Sequence, residues 1–139
     1  MEPARKSYSY KLKQFTESVQ GFSQALAVEV KDKEPVEADL MNNGKVQKFE
    51  YSVELAWKMA RKFLFEVHGL ERNSPKSAAK GLLEVQLIDD SLYQQFIEMI
   101  HDRNRLSHVY DTEDFSQILN KLKVHGHSLQ TLCARFKGR

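Results

Sequence analysis

Apolar residues recur at intervals of three and four along most of the chain, which is the period of a helix that buries one side. The first stripe, from Tyr10 to about Val30, predicts a helix that buries Leu12, Phe15, Val19, Phe22 and Leu26. The charged segment 31–35 ends in proline and predicts a loop. A longer stripe follows, made of Val46, Phe49, Val53, Ala56, Trp57, Ala60, Phe63, Leu64 and Val67. This second helix begins either at about Val36 or after Asn42-Asn43-Gly44, and Gly69 predicts its end.

The second half of the chain continues the same pattern. Ser74-Pro75 predicts the start of a short helix to about Leu83, because serine caps helices and proline fits their first turn. Asp89-Asp90 predicts another start, followed by the apolar positions Leu92, Phe96, Met99, Ile100 and Leu106. Thr112-Glu113-Asp114 begins a last helix, with a stripe of Phe115, Ile118, Leu122, Leu129, Leu132 and Phe136. With no strand pattern, we expect an all-α fold: an up-and-down antiparallel bundle of four main helices plus a short one.

Composition excludes several classes of function. A length of 139 residues predicts a single domain, residues 1–139 with a core of about 10–136, that needs no disulfides. The net charge of +2 is too small to indicate nucleic-acid binding. The single cysteine, Cys133, excludes an internal disulfide and a cysteine-based metal site, so a reducing cytoplasm is the expected location. No apolar run is long enough to span a membrane.

Cofactor and metal motifs are also missing from the sequence. It has no glycine-rich phosphate loop and no Cys/His pattern with zinc spacing, so we expect neither a cofactor nor a metal. His125 and His127 are two residues apart, which would point them to different faces of a helix. We interpret both as surface residues.

Candidate chemistry is concentrated between Arg103 and Tyr110. The Arg103 guanidinium is suited to a phosphate group, and His108 can act as a general acid or base near neutral pH. Asn104 and Ser107 can orient a phosphate oxygen or the imidazole, and Tyr110 adds a phenol. These side chains together suggest a site that binds a phosphate group, with His108 as its acid or base.

The spacing of Arg103 and His108 limits how they can act together. A helix advances about 100° per residue, so these two residues would lie roughly 140° apart on an unbroken helix. They can converge if the helix loosens near Ser107, or if two copies face each other across a dimer. The simpler alternative is a helix C-terminus, where cations favour the dipole and His108 caps carbonyl groups.

Three charged residues on the second predicted helix are spaced four apart: Glu50, Glu54 and Lys58. This spacing places them along one face, and a solvated face is the simpler interpretation. Glu50 differs because it lies between Phe49 and Tyr51. If it points into the bundle it needs a partner there, which makes it a candidate site-lining residue.

Four segments of the chain, in this order and separation, resemble a known family. They are Gln47-Lys48-Phe49-Glu50-Tyr51-Ser52-Val53-Glu54-Leu55-Ala56-Trp57-Lys58, Ser74-Pro75-Lys76, Leu87-Ile88-Asp89, and Asp102-Arg103-Asn104 with Ser107-His108-Val109-Tyr110-Asp111. Over about residues 10–135 the chain resembles the nucleotidyltransferase substrate-binding proteins, a branch of the HEPN superfamily close to the HepT toxins. The resemblance implies a helical bundle that forms a homodimer. It also implies a complex with a small nucleotidyltransferase encoded beside it.

The resemblance gives roles to the polar segment. Arg103 and His108, with four residues between them, match the HEPN motif, which in catalytic members is a metal-independent ribonuclease site shared by two chains. Tyr110 matches the tyrosine of the HepT form, to which the partner enzyme in some toxin–antitoxin pairs transfers AMP to silence the toxin. These roles imply a HepT-like ribonuclease toxin that acts on RNA. The alternatives are a non-catalytic subunit that binds a phosphate-bearing substrate or nucleotide for the transferase, and a plain helical interaction module.

Overall fold

Five helices and short connections make up the part of the chain that the structure, a computed structural model, describes: residues 7–107 and 112–138. The helices are α1 (Tyr8–Leu26), α2 (Pro35–His68), α3 (Pro75–Glu84), α4 (Asp90–Leu106) and α5 (Thr112–Gly138). The described residues contain no strand. The predicted all-α bundle of four main helices and a short one is confirmed.

Most helix ends follow from their local sequence. The Ser74 hydroxyl accepts a hydrogen bond from the Ser77 N–H, the Ser77 side chain binds back to Ser74, and Pro75 fills the first position of α3. The Asp89 carboxylate accepts from the Leu92 N–H at 2.9 Å at the start of α4. Gly69 ends α2 as predicted, with φ 67°, a left-handed conformation that glycine adopts without strain.

The structure corrects one predicted boundary and decides between two alternatives for another. α1 ends at Leu26 and not near Val30, because Leu26 is the last residue of its stripe to pack on the core and Val28 is exposed. Of the two predicted starts of α2, the earlier is right: the helix begins at Pro35, which occupies its first turn, and runs unbroken through 42–44. Proline therefore opens this helix at the end of the loop.

α2 is the central element and packs against the other four helices. α1 packs on α2 and α5, while α4 packs on α2, α3 and α5. The core includes the Phe22 and Phe49 rings, whose centroids are 6.1 Å apart, and nearly all of the predicted stripe residues. The predicted burial of Val67 is wrong: its side chain is 43% exposed, because the buried side of α2 ends with Phe63 and Leu64.

A close contact between α1 and α5 explains why a glycine lies within the last stripe. A Cβ atom at Gly126 would lie 2.9 Å from Leu26 Cδ1 and 3.5 Å from Phe22 Cε2. Glycine therefore lets the two helices approach at this point. In residues 7–107 and 112–138, no helix carries an apolar stretch that would cross a membrane.

Candidate functional site

The last turn of α4 presents two neighbouring polar residues to different helices. Asp102 points into the contact with α5, and Arg103, the next residue, reaches α2. α4 ends at Leu106, and the Ser107 N–H bonds back to the Asn104 carbonyl oxygen at 3.2 Å. Asn104 and Ser107 are both exposed. This turn therefore holds three of the residues predicted to act on a phosphate.

The remaining residues of the predicted motif are not part of the described structure. His108 and Tyr110 belong to segment 108–111, which lies outside the described residues. The helical stretch that carries Arg103 ends before His108. α4 therefore does not continue unbroken from Arg103 to His108, the arrangement that would have placed them on different faces of one helix.

Arg103 makes an ion pair with α2 that uses only part of its guanidinium group. Its Nη2 atom lies 3.1 Å from Glu54 Oε1, and its side chain is 37% exposed. Its Nε atom is buried and has no hydrogen-bond acceptor among the described residues. Buried donors are almost always paired in folded proteins, so an N–H without an acceptor is unusual and marks this guanidinium as a candidate ligand-binding group.

Two carboxyl groups of α2 face Arg103. Burial raises the pKa of Glu54, but hydrogen bonds from Lys58 and Trp57, with the Arg103 charge, outweigh it and hold the pKa below its usual value. Burial raises the pKa of Glu50, an effect that the Arg103 charge reduces. Glu50 is half-buried and has this arginine as a nearby counter-charge. It remains a candidate site-lining residue.

The sequence interpretation missed the role of Glu54. The Glu54–Lys58 ion pair, 3.2 Å between Oε2 and Nζ, is the within-helix contact that their spacing predicts. Glu54 also binds Arg103 of α4 and accepts a hydrogen bond from Trp57 Nε1 at 3.3 Å. The solvated face is therefore wrong for Glu54, whose carboxylate connects two helices.

On its other side, the last turn of α4 is held to α5 by a buried cluster around Asp102. The Asp102 side chain is fully buried, and its Oδ2 atom accepts from Lys121 Nζ and His125 Nε2, both at 2.8 Å. Arg105 Nη1 lies 3.5 Å from Oδ1, and Arg105 Nη2 lies 3.2 Å from Asp114 Oδ1 on α5. These contacts hold the last turn of α4 to α5.

The charge of Asp102 is maintained by its partners. Burial raises the pKa of this carboxyl, but hydrogen bonds from Lys121 and His125, with their charges, outweigh it and keep the pKa below its usual range. Burial lowers the pKa of Lys121, but hydrogen bonds to Asp102 and Glu98, with the charges of these two groups, outweigh it and raise the pKa. The cluster therefore contains an ionised carboxylate beside a charged ammonium group.

The interpretation of His125 as a surface residue is wrong. It is 2% exposed, and its ring stacks on Phe49 with centroids 5.1 Å apart and an interplanar angle of 14°. A signal for this was present, since His125 lies three residues after Leu122 and four before Leu129, within the apolar stripe of α5. His127 is exposed, as predicted.

Burial of His125 predicts a pH-dependent stability. Burial lowers the pKa of His125, although its hydrogen bond to Asp102 opposes the shift and the charges of Lys121 and Glu98 also act on the ring. The folded protein thus binds this proton less readily than the unfolded chain, whose histidine has a pKa of about 6.5. We expect the free energy of unfolding to be highest above about pH 7, where His125 is neutral in both states. It should fall as the pH drops below about 6.5, where the unfolded chain binds the proton first.

Urea unfolding of the wild type between about pH 5 and 7.5 measures the slope of the free energy of unfolding against pH. A His125→Gln variant should lose part of it, because glutamine does not titrate. His127→Gln, which changes an exposed histidine two residues away, should keep the wild-type slope. Equal slopes in all three proteins would contradict the assignment to His125.

Among the described residues, no group of three or more His, Cys, Asp or Glu side chains is arranged to hold a metal ion. The chemistry that this turn can supply is that of its side chains: a part-exposed guanidinium, an exposed amide and an exposed hydroxyl. Each of these groups can donate a hydrogen bond to a phosphate oxygen.

The arrangement of five helices is also found in a solved structure. A crystal structure of ttk003001694 from Thermus thermophilus is similar to this chain with a TM-score of 0.77 and 24% identity, over 88% of this chain and 98% of that one. At this identity the likeness shows that the helical fold is shared. A search of curated proteins found no significant match.

The family is shown by the sequence. The model of the family described as "Nucleotidyltransferase substrate binding protein like" matches residues 10–137, nearly the whole chain. The chain belongs to this family, which confirms the resemblance to the nucleotidyltransferase substrate-binding proteins. Membership fits a protein that works beside a nucleotidyltransferase.

Proposed function

We propose that this protein is the partner subunit of a small nucleotidyltransferase in a cytoplasmic two-gene module of the toxin–antitoxin type. In this proposal it is a HEPN/HepT-like homodimer and a metal-independent ribonuclease. The observation that carries the proposal is Arg103: a part-exposed guanidinium whose buried Nε–H has no acceptor among the described residues. It lies at the start of the segment that matches the Arg-x4-His motif.

The chemistry proposed for the site follows from its side chains. One His108 imidazole, as general base, takes the proton of the ribose 2′-hydroxyl, and the 2′-oxygen attacks the adjacent phosphorus. The bond from phosphorus to the 5′-oxygen breaks, and a second imidazole, from the other protomer, protonates the leaving oxygen. The products are a 2′,3′-cyclic phosphate and a 5′-hydroxyl. Arg103 stabilises the charge that develops on the phosphate oxygens, and Asn104 and Ser107 orient them.

Control by the transferase is proposed to act on Tyr110. The phenol oxygen attacks the α-phosphorus of ATP, its proton is lost to solvent, and pyrophosphate leaves. The AMP group places a bulky phosphodiester anion seven residues from Arg103 in sequence. It would block the site both by its volume and by supplying Arg103 with a competing anion.

A cleavage assay of the wild-type protein in EDTA tests this proposal. We expect cleavage of single-stranded RNA without added metal, with 2′,3′-cyclic phosphate ends. An RNA whose 2′-hydroxyls are methylated is the matched control and should remain intact, because the nucleophile is blocked.

The alternative is a non-catalytic subunit that grips a phosphate-bearing substrate for the transferase. The same N–H of Arg103, which has no acceptor among the described residues, supports it, and the family description names substrate binding. Stable binding to the neighbouring transferase, together with no cleavage of any RNA pool, would favour this alternative over the ribonuclease. If Arg103→Ala lowered stability and changed no binding or cleavage, a plain interaction module would remain.

A further inference from the structure

The contact between α2 and α4 occupies part of the proposed phosphate site. We propose that Glu54 is a gate for this site: its carboxylate binds Arg103 in the unbound protein, and a phosphate group has to displace it. The inference rests on the phosphate-binding role proposed for Arg103. In this role Glu54 controls access to Arg103. Anions that cannot displace the Glu54 carboxylate bind Arg103 more weakly.

The geometry favours competition between the Glu54 carboxylate and a phosphate group for Arg103. Glu54 Oε1 lies 3.1 Å from Arg103 Nη2, a position that a phosphate oxygen would take. Guanidinium groups bind carboxylates and phosphates through the same N–H edges, so one Nη2–H cannot serve both fully. The two anions also repel each other at this distance. A phosphate on Arg103 therefore favours movement of Glu54 away from it.

Glu54 has other partners when it leaves Arg103. Its Oε1 atom accepts from Trp57 Nε1 at 3.3 Å, and its Oε2 atom lies 3.2 Å from Lys58 Nζ. Both partners are on α2, within about one turn of Glu54. The displaced carboxylate thus stays ionised and hydrogen-bonded, which keeps the exchange reversible.

The same contacts provide a reporter. Trp57 is the single tryptophan of the chain, and the Arg61 guanidinium carbon lies 5.1 Å from the centre of its ring. Its indole N–H bonds the oxygen of Glu54 that also binds Arg103. Displacement of Glu54 by a ligand should therefore change the fluorescence of Trp57.

The test measures binding of a labelled 2′-O-methyl RNA oligonucleotide, which cannot be cleaved, by fluorescence anisotropy. Glu54→Gln removes the competing charge and keeps the size of the side chain. We expect it to bind about fivefold tighter than the wild type, the size of change that a part-exposed ion pair supports. The matched control is Glu66→Gln, which removes the partner of Lys62 on the same helix and should bind like the wild type. Trp57 fluorescence should respond to the RNA in the wild type.

The experiment separates failure of the Glu54 gate from failure of the phosphate site. If Glu54→Gln binds RNA equally or more weakly while Arg103→Ala loses binding, the phosphate site stands and the gate is overturned, since Glu54 then only positions Arg103. If Arg103→Ala binds as well as the wild type, both the site and the gate are overturned. Absence of binding by the wild type and by Glu54→Gln, to this RNA and to AMP in a parallel titration, also overturns both.

Discussion

Replacing Asp102 with alanine should lower the free energy of unfolding by about 3–5 kcal/mol, the range measured when one partner of a buried ion pair is removed. Asp102 is fully buried, and it is the acceptor for Lys121 and His125 at 2.8 Å each. Without it, the Lys121 ammonium keeps its contact with Glu98 at the edge of the cluster, but the His125 N–H loses this acceptor inside the protein. An unpaired buried donor and a displaced charge both destabilise the folded state.

Urea unfolding at neutral pH measures this loss, with two comparisons. Asp102→Asn keeps a side-chain oxygen as acceptor and should be less destabilising than alanine, although it removes the charge that Lys121 requires. Asp114→Ala is the matched control, because Asp114 is also bound by an arginine of α4 but is 48% exposed. Exposed ion pairs contribute about 1 kcal/mol or less. Equal destabilisation by Asp102→Ala and Asp114→Ala would show that the buried cluster does not hold α4 to α5.

The helices were predictable because burial imposes a regular period on the sequence. The stripe from Phe15 to Leu26 and the Ser74-Pro75 start both depend on neighbouring positions, and both are found in the structure. Errors arise where tertiary packing determines whether an apolar residue is buried. Val67 is apolar, yet it is exposed, because the buried side of α2 ends with Phe63 and Leu64.

The candidate site was predictable in part. Arg103 was identified from its residue type and its neighbours along the chain, and the structure shows it part-exposed, with a buried Nε–H that has no acceptor among the described residues. Its contact with Glu54 was not predictable, since it joins α2 and α4 across 49 positions of sequence. The spacing of Glu54 and Lys58 describes one helix and is the same whether or not a second helix packs beside it.

His125 shows a different limit. Its polarity favoured the surface, while its place in the stripe of α5 favoured the core, and sequence alone does not show that Asp102 is present to bind it. A buried histidine requires such a partner, because burying an unpaired ring nitrogen is unfavourable. The neighbouring residues Asp102 and Arg103 thus make contacts with different helices: Asp102 binds α5 and Arg103 binds α2.

Alanine substitutions in the proposed motif should abolish most RNA cleavage. We expect His108→Ala to lower the cleavage rate by about 10²–10⁴-fold, the usual contribution of a general acid or base. Arg103→Ala should lower it by about 10²–10³-fold, the effect of removing a donor that stabilises transition-state charge. Single-turnover cleavage of RNA in EDTA, with folding of each variant checked by circular dichroism, measures both losses.

Arg105 offers a matched control on the same turn of α4. Its guanidinium binds Asp102 and Asp114, which places its charge in the contact with α5, whereas Arg103 faces α2. Arg105→Ala therefore removes the same charge from the same turn, and we expect it to lower stability while cleavage stays within about threefold of the wild type. Arg103→Ala should instead lower cleavage and change stability little, because the ion pair of Arg103 is part-exposed and contributes about 1 kcal/mol or less. If both arginine variants lost cleavage equally, the positive charge of the turn would be acting at long range and Arg103 would not be the phosphate ligand.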